Sequence, residues 1–187
     1  AAYGTAHRLP GIDYAAQRTF FATFCVSNRQ RSFEDTRLAD IAKEVILGYR
    51  RREWYWLFAY SIMPDHIHML VRLRERRRSL SRIIATIKAQ IIYHARSNGL
   101  SIAFQWGYYD WVLRSNQDPR EFAKYVVANP VRAKLVLSSA DYPYCGVVDI
   151  GISGRPAVDR VIDLRSNHCT IDCVIDLRSN HCTIDGV

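Results

Sequence analysis

The stretch Met63-Pro64-Asp65-His66-Ile67-His68-Met69-Leu70 decides how the rest of the chain is read. Pro64-Asp65 breaks an apolar run and starts another, the signature of a tight connection between two strands. From His66 onward the pattern has the period of a β-strand, in which successive side chains point to opposite faces. His66 and His68 therefore share one face, while Ile67, Met69 and Val71 share the other. The apolar set can be buried against helices. The imidazoles are left side by side, where two nitrogens can bind one metal ion, although such a pair taken alone is more often structural than metal-binding.

Upstream, Trp54 to Ile62 reads as the strand that pairs with His66–Leu73 in a hairpin, with Trp54, Trp56, Phe58 and Tyr60 on one face. Before it, Asp35 can cap a helix to about Arg51, with Leu38, Ile41, Val45 and Tyr49 on one stripe. Arg18 to Val26 is rich in aromatic and β-branched residues and reads as a first strand. Residues 1–17 read as a loose arm. Downstream, Arg74 to Arg78 is a basic loop. Ser79 caps a second helix carrying Leu80, Ile83, Ile84, Ile87 and Ile91, which Asn98-Gly99 ends. Phe104 to Arg114 reads as a bent strand or irregular hairpin. Asp118-Pro119-Arg120-Glu121 opens a third helix, which Pro130 is expected to end or kink. The order strand-helix-strand-strand-helix-strand-helix predicts an α+β fold, an antiparallel sheet with helices packed on it. One domain over residues 18–150 accounts for it.

Residues 151–187 read differently. Val161–Cys173 (VIDLRSNHCTIDC) is followed at once by Val174–Gly186 (VIDLRSNHCTIDG), a near-exact thirteen-residue repeat. Two copies are too few for a solenoid. His168, Cys169, Cys173, His181 and Cys182 lack the spacings of a zinc finger. A disordered tail is expected.

The net charge is +8 and the pI about 9.4. Arg50, Arg51 and Arg52, with Arg72, Arg74, Arg76, Arg77 and Arg78, form the clusters expected of a nucleic-acid binder. Cys25 and Cys145 are isolated, so no disulfide framework is implied. No run is long and apolar enough to span a bilayer and no signal segment leads the chain, so a cytoplasmic protein without membrane association is expected.

Tyr125 and Asn129 are four residues apart on the third helix and project from one face. If that face lies over the histidine strand, Tyr125, Asn129, His66 and His68 converge. A phenol with an ordinary pKa of about 10 is a poor nucleophile, and a divalent cation clamping a phosphate would help it. Two imidazoles and an amide carbonyl suit Mg²⁺ or Mn²⁺ and do not exclude Zn²⁺.

MPDHIHML resembles the histidine-hydrophobe-histidine motif of the HUH endonucleases. With QWGYYDWVLR and KYVVANPVRAKLV following in order, the chain resembles the single-tyrosine transposases, in particular the REP-associated tyrosine transposases. The resemblance runs from about Arg18 to Tyr144 and includes FFATFC with Asn28-Arg29 and Phe33 after it. It implies a ferredoxin-like sheet with the HUH motif on a central strand and the catalytic tyrosine on the last helix. It also implies His66, His68 and Asn129 as ligands of Mg²⁺ or Mn²⁺, and Tyr125 as nucleophile. The implied activity is cleavage and rejoining of single-stranded DNA at hairpins through a 5′-phosphotyrosine, without ATP.

The implied partners are single-stranded or hairpin DNA, a possible second copy of the chain and, by extension, the nucleoid. Lys134 stands where the family commonly has glycine. Against such a substrate Arg50, Arg51, Arg52, Arg74, Arg76, Arg77 and Arg78 would meet phosphates, and Trp106 and Tyr108 would stack on bases. Two rivals remain open: a domesticated DNA-binding protein without catalysis, and a metal-dependent hydrolase that uses water.

Overall fold

The computed structural model describes residues 18–74, 78–114 and 116–150, with two short strands at Cys173–Asp176 and His181–Ile184. The main domain runs β1 (Thr19–Cys25), α1 (Thr36–Arg51), β2 (Tyr55–Met63), β3 (His66–Leu73), α2 (Leu80–Ser97), β4 (Tyr109–Val112), α3 (Pro119–Arg132) and β5 (Cys145–Val147). The sheet order is β4-β1-β3-β2-β5, and every neighbouring pair is antiparallel. Its first four members have the βαββαβ connectivity and order of a ferredoxin-like sheet. The histidine strand β3 lies at its centre.

Each helix starts where a side chain supplies an acceptor. Asp35, Ser79 and Asp118 accept from the backbone N–H groups of Arg37, Arg82 and Arg120, respectively. Pro119 occupies the first turn of α3, where a missing N–H has no consequence.

The two sheet faces are covered separately. Phe20, Phe24, Leu57, Ile67, Met69 and Val71 pack with Leu38 and Ile46 of α1 and Ile83, Ile87 and Ile91 of α2 in the larger core. Phe21, Phe58, Ala59 and Leu70 pack with Phe122, Tyr125, Val126 and Val127 of α3 in a smaller one. Fully burying one such side chain is worth roughly 1.5–3 kcal/mol, so these faces fix which side of the sheet each helix covers.

Three elements depart from the sequence reading or narrow it. In β2 the pairing shifts register between Leu57 and Ala59. This bulge puts Phe58 and Ala59 together in the smaller core and returns Tyr60 to the larger one, so the expected Trp54-Trp56-Phe58-Tyr60 stripe does not form. Of the two outcomes expected at Pro130, an end to the helix is excluded, since α3 continues to Arg132. β5 is an additional edge strand beside β2.

Within the tail expected to be disordered, Cys173–Asp176 and His181–Ile184 pair antiparallel as a separate two-stranded sheet. Both segments are rich in β-branched residues, which suits strand pairing. The rest of the repeats and residues 1–17 lie outside the described residues.

Candidate active site

β3 has β1 on one side and β2 on the other, so its histidines are held from both edges. His68 lies opposite Thr23 of β1 and Ser61 of β2; His66 lies opposite Cys25 and Met63. The Thr23 hydroxyl sits 2.7 Å from His68 Nδ1. His66 Nδ1 lies 2.6 Å from an Asp65 carboxylate oxygen, which fixes Nδ1 as the donor. The other Asp65 oxygen accepts from Arg29 Nε at 2.9 Å. Burial alone would raise the Asp65 carboxyl, but the His66 hydrogen bond and charge, with the Arg29 guanidinium, hold it below the usual range. Burial, followed by the charges of His66 and Arg29, pushes His68 well below its ordinary value.

With both Nδ1 atoms engaged, the Nε2 atoms of His66 and His68 face each other at 3.0 Å. Two nitrogens about 2.1 Å from one cation and at a right angle to each other are separated by about this distance, as two cis ligands in an octahedron would be. As the structure stands, the two Nε2 atoms are hydrogen-bonded to each other, and the same spacing would let both turn their lone pairs to one divalent ion. Among the described residues no group of three His, Cys, Asp or Glu side chains is placed to hold a metal ion, so further ligands would come from an amide, water or phosphate.

α3 covers the histidine-bearing face. The Phe21 ring stacks on His68, with centroids 5.3 Å apart, and meets the Tyr125 ring edge-on at 6.0 Å. Tyr125 is therefore one aromatic ring away from the histidines, on their side of the sheet. It is 5% exposed and belongs to the smaller core, with the Arg132 guanidinium 5.0 Å from its ring centre.

Asn129 has a structural task as well. Its Nδ2 donates to the carbonyls of Tyr125 and Val126, at 3.0 and 3.1 Å. In a regular helix the Val126 carbonyl would accept from residue 130, and Pro130 has no N–H. Asn129 supplies the missing donor, which lets α3 pass through the proline.

The arginines divide. The Arg50 guanidinium grips the fully buried Asp149 carboxylate through Nε and Nη2. It is a clamp between α1 and the segment after β5. Arg51 pairs with Glu44 at the surface. Arg74 pairs with Glu53 and lies 4.0 Å from the Trp56 ring centre. Arg52 and Arg78 lie over Tyr49 and Trp54. Arg76 and Arg77 are outside the described residues. Arg74 follows the far end of β3, about 20 Å along the strand from His68, so the basic group and the histidines occupy opposite ends. Trp106 is 86% exposed, whereas the Tyr108 hydroxyl is hydrogen-bonded to Ser81.

Sequence reasoning missed Thr23, Phe21 and Arg132. Thr23 and Phe21 alternate on β1 with the period of the histidines, but only the β1–β3 register brings them to His68.

The model of the family described as "Transposase IS200 like" matches residues 17–113, a stretch that contains both histidines and ends before Tyr125. A Haemophilus influenzae protein named "Putative REP-associated tyrosine transposase" is 25% identical over 149 residues, covering 71% of this chain and 81% of that one. A solved structure of a REP-associated tyrosine transposase bound to a REP hairpin shares the fold with a TM-score of 0.63. It is 22% identical and the match covers 89% of this chain and 96% of that one. With more than half its length matched by the family model, the chain belongs to the IS200-like transposase family.

Proposed function

We propose that this chain is a REP-associated tyrosine transposase, which cleaves and rejoins single-stranded DNA beside hairpins using a divalent cation and Tyr125. The observation that carries the reading is the histidine pair, with its two Nε2 atoms 3.0 Å apart and both rings pinned from behind by Thr23 and Asp65. Outer hydrogen bonds of this kind orient metal-ligating imidazoles. His66 and His68 would hold Mg²⁺ or Mn²⁺, with Oδ1 of Asn129 as a third ligand, since its Nδ2 is committed to α3. When bound, the cation neutralises phosphate charge and polarises phosphorus.

The Tyr125 oxygen then replaces the 3′-oxygen at phosphorus. A free 3′-hydroxyl leaves, and the phosphoester is kept on the enzyme for rejoining. Arg132, whose guanidinium lies 5.0 Å from the Tyr125 ring centre, would bring a positive charge near the phosphate under attack. The arginines at the far end of β3 would hold the duplex stem while the unpaired strand lies over the histidines. A second copy of the chain and association with the nucleoid belong to the same proposal. Among the described residues no helix is long and apolar enough to cross a membrane.

The burial of Tyr125 favours one rival, a protein that binds hairpins without cutting. A labelled hairpin oligonucleotide incubated with Mn²⁺ separates them. The proposal expects cleavage by the wild type and none by His66→Ala, His68→Ala or Tyr125→Phe. Binding without cleavage by any form would establish the rival. Cleavage surviving in Tyr125→Phe would point to a hydrolase using water.

A further inference from the structure

Trp106 is the most exposed aromatic side chain among the described residues, yet the loop carrying it is tightly held. Ala103 accepts from Ser27 N–H at 2.8 Å, Phe104 forms a bridge with Val26, and Gln105 N–H donates to the Cys25 carbonyl at 2.9 Å. The Phe104 ring packs on Phe24 and Phe33. Gly107 adopts φ 79°, a left-handed turn that a residue with a side chain enters only with strain. Lys88 of α2 completes the arrangement. Its ammonium donates to the carbonyls of Gln105 and Gly107, the two residues flanking Trp106. Burial pushes the Lys88 amine down to about 8, so at neutral pH it remains largely charged while enclosed beneath the loop.

The position is specific. Cys25 and Val26, to which the loop is bonded, end the strand whose Cys25 lies opposite His66, and Val26 N–H donates to the Asp65 carbonyl at 2.9 Å. The indole therefore stands at the histidine end of the sheet, one strand away from His66. The groups that hold the loop, Phe24, Phe104 and Lys88, lie on the α2 side of the sheet, so a strand crossing the histidine face would round the β1 edge to reach the indole. A large aromatic ring exposed to water on an anchored loop of a basic chain is the arrangement that stacks unpaired bases.

We infer that Trp106 is a stacking platform for an unpaired base adjoining the phosphate at the histidines, and that Lys88 is the positioning residue that holds it there. This rests on the proposed single-stranded DNA substrate and adds the site that distinguishes an unpaired arm from duplex.

Two labelled hairpins with the same stem, one blunt and one with short thymidine extensions, test it by fluorescence anisotropy at pH 7 with metal omitted. Trp106→Ala is expected to weaken binding of the extended hairpin about tenfold and leave the blunt one unchanged. Trp106→Phe should restore most of the loss. Lys88→Met should reproduce the selective loss, and Lys88→Arg should lessen it. Equal affinity of Trp106→Ala and wild type for the extended hairpin, or equal losses on both hairpins, would overturn the platform. Lys88→Met binding the extended hairpin like wild type would overturn the positioning role. Because no bond is cut, a failure of strand transfer leaves this result standing, and a cleaving enzyme indifferent to Trp106 would refute only this inference.

Discussion

Asn129 and Pro130 share one hydrogen-bonding problem. The proline withholds the donor that the Val126 carbonyl needs, and the Asn129 amide provides it. Asn129→Ala should therefore destabilise the fold by about 1–2 kcal/mol, the usual penalty for orphaning a buried polar group. In a Pro130→Ala background the helix has its own N–H, and the same substitution should lose most of that penalty, which urea unfolding of the four proteins would measure. Any cleavage activity that Asn129→Ala still lacks in that background would belong to the cation and not to the helix. Lys134 offers a second test at this scale. It follows the C-terminus of α3 with φ 56°, the left-handed conformation that glycine adopts freely. Lys134→Gly should raise stability by about 0.5–1 kcal/mol in the same assay, and a loss of stability would show that the lysine side chain has a partner worth more than the strain.

Elements show where local pattern suffices and where it fails. The three helix starts were legible because each has its own cap within four residues. The His66–His68 face was legible because strand alternation is local. The bulge in β2 was not, because WYWLFAYSI alternates no more clearly in one register than in the other, and the partner strands decide. β5, only Cys145-Gly146-Val147, carries too short a signal to be read and exists through its pairing with β2. Thr23 lies forty-five residues from His68 in sequence, and only the folded register makes it a partner. The Arg50–Asp149 pair was not legible for the same reason, since its members lie ninety-nine residues apart. That buried pair yields a prediction. Asp149 also accepts from Leu57 N–H, at 2.8 Å, so Asp149→Ala leaves a cation and a backbone donor uncompensated. A destabilisation of about 3–5 kcal/mol is expected in thermal or denaturant melts. A variant as stable as wild type would show that the pair adds nothing to the fold.

At the scale of the whole molecule, the two ends of β3 differ in what they carry. One end of β3 carries the histidines, with Trp106 at the same edge, and the other end carries arginines resting on Tyr49, Trp54 and Trp56. A chain with net charge +8 that binds a stem through phosphates must do so with strong salt dependence. If four phosphates are neutralised, affinity for a hairpin should fall about a hundredfold between 50 and 200 mM salt. Arg78→Ala should make the slope shallower, while weakening different stem sequences alike. A flat salt response would remove the arginine end from the binding surface. The central claim is narrower: that the phenol on α3 reaches a phosphate held at the histidines although Phe21 lies beside both rings. The direct measurement is intact-protein mass after incubation with a single-stranded hairpin oligonucleotide and Mn²⁺. A mass increase equal to the 5′-phosphorylated fragment less one water, absent in Tyr125→Phe, is the predicted result. Cleaved DNA with no mass increase, or the same adduct formed by Tyr125→Phe, would contradict it.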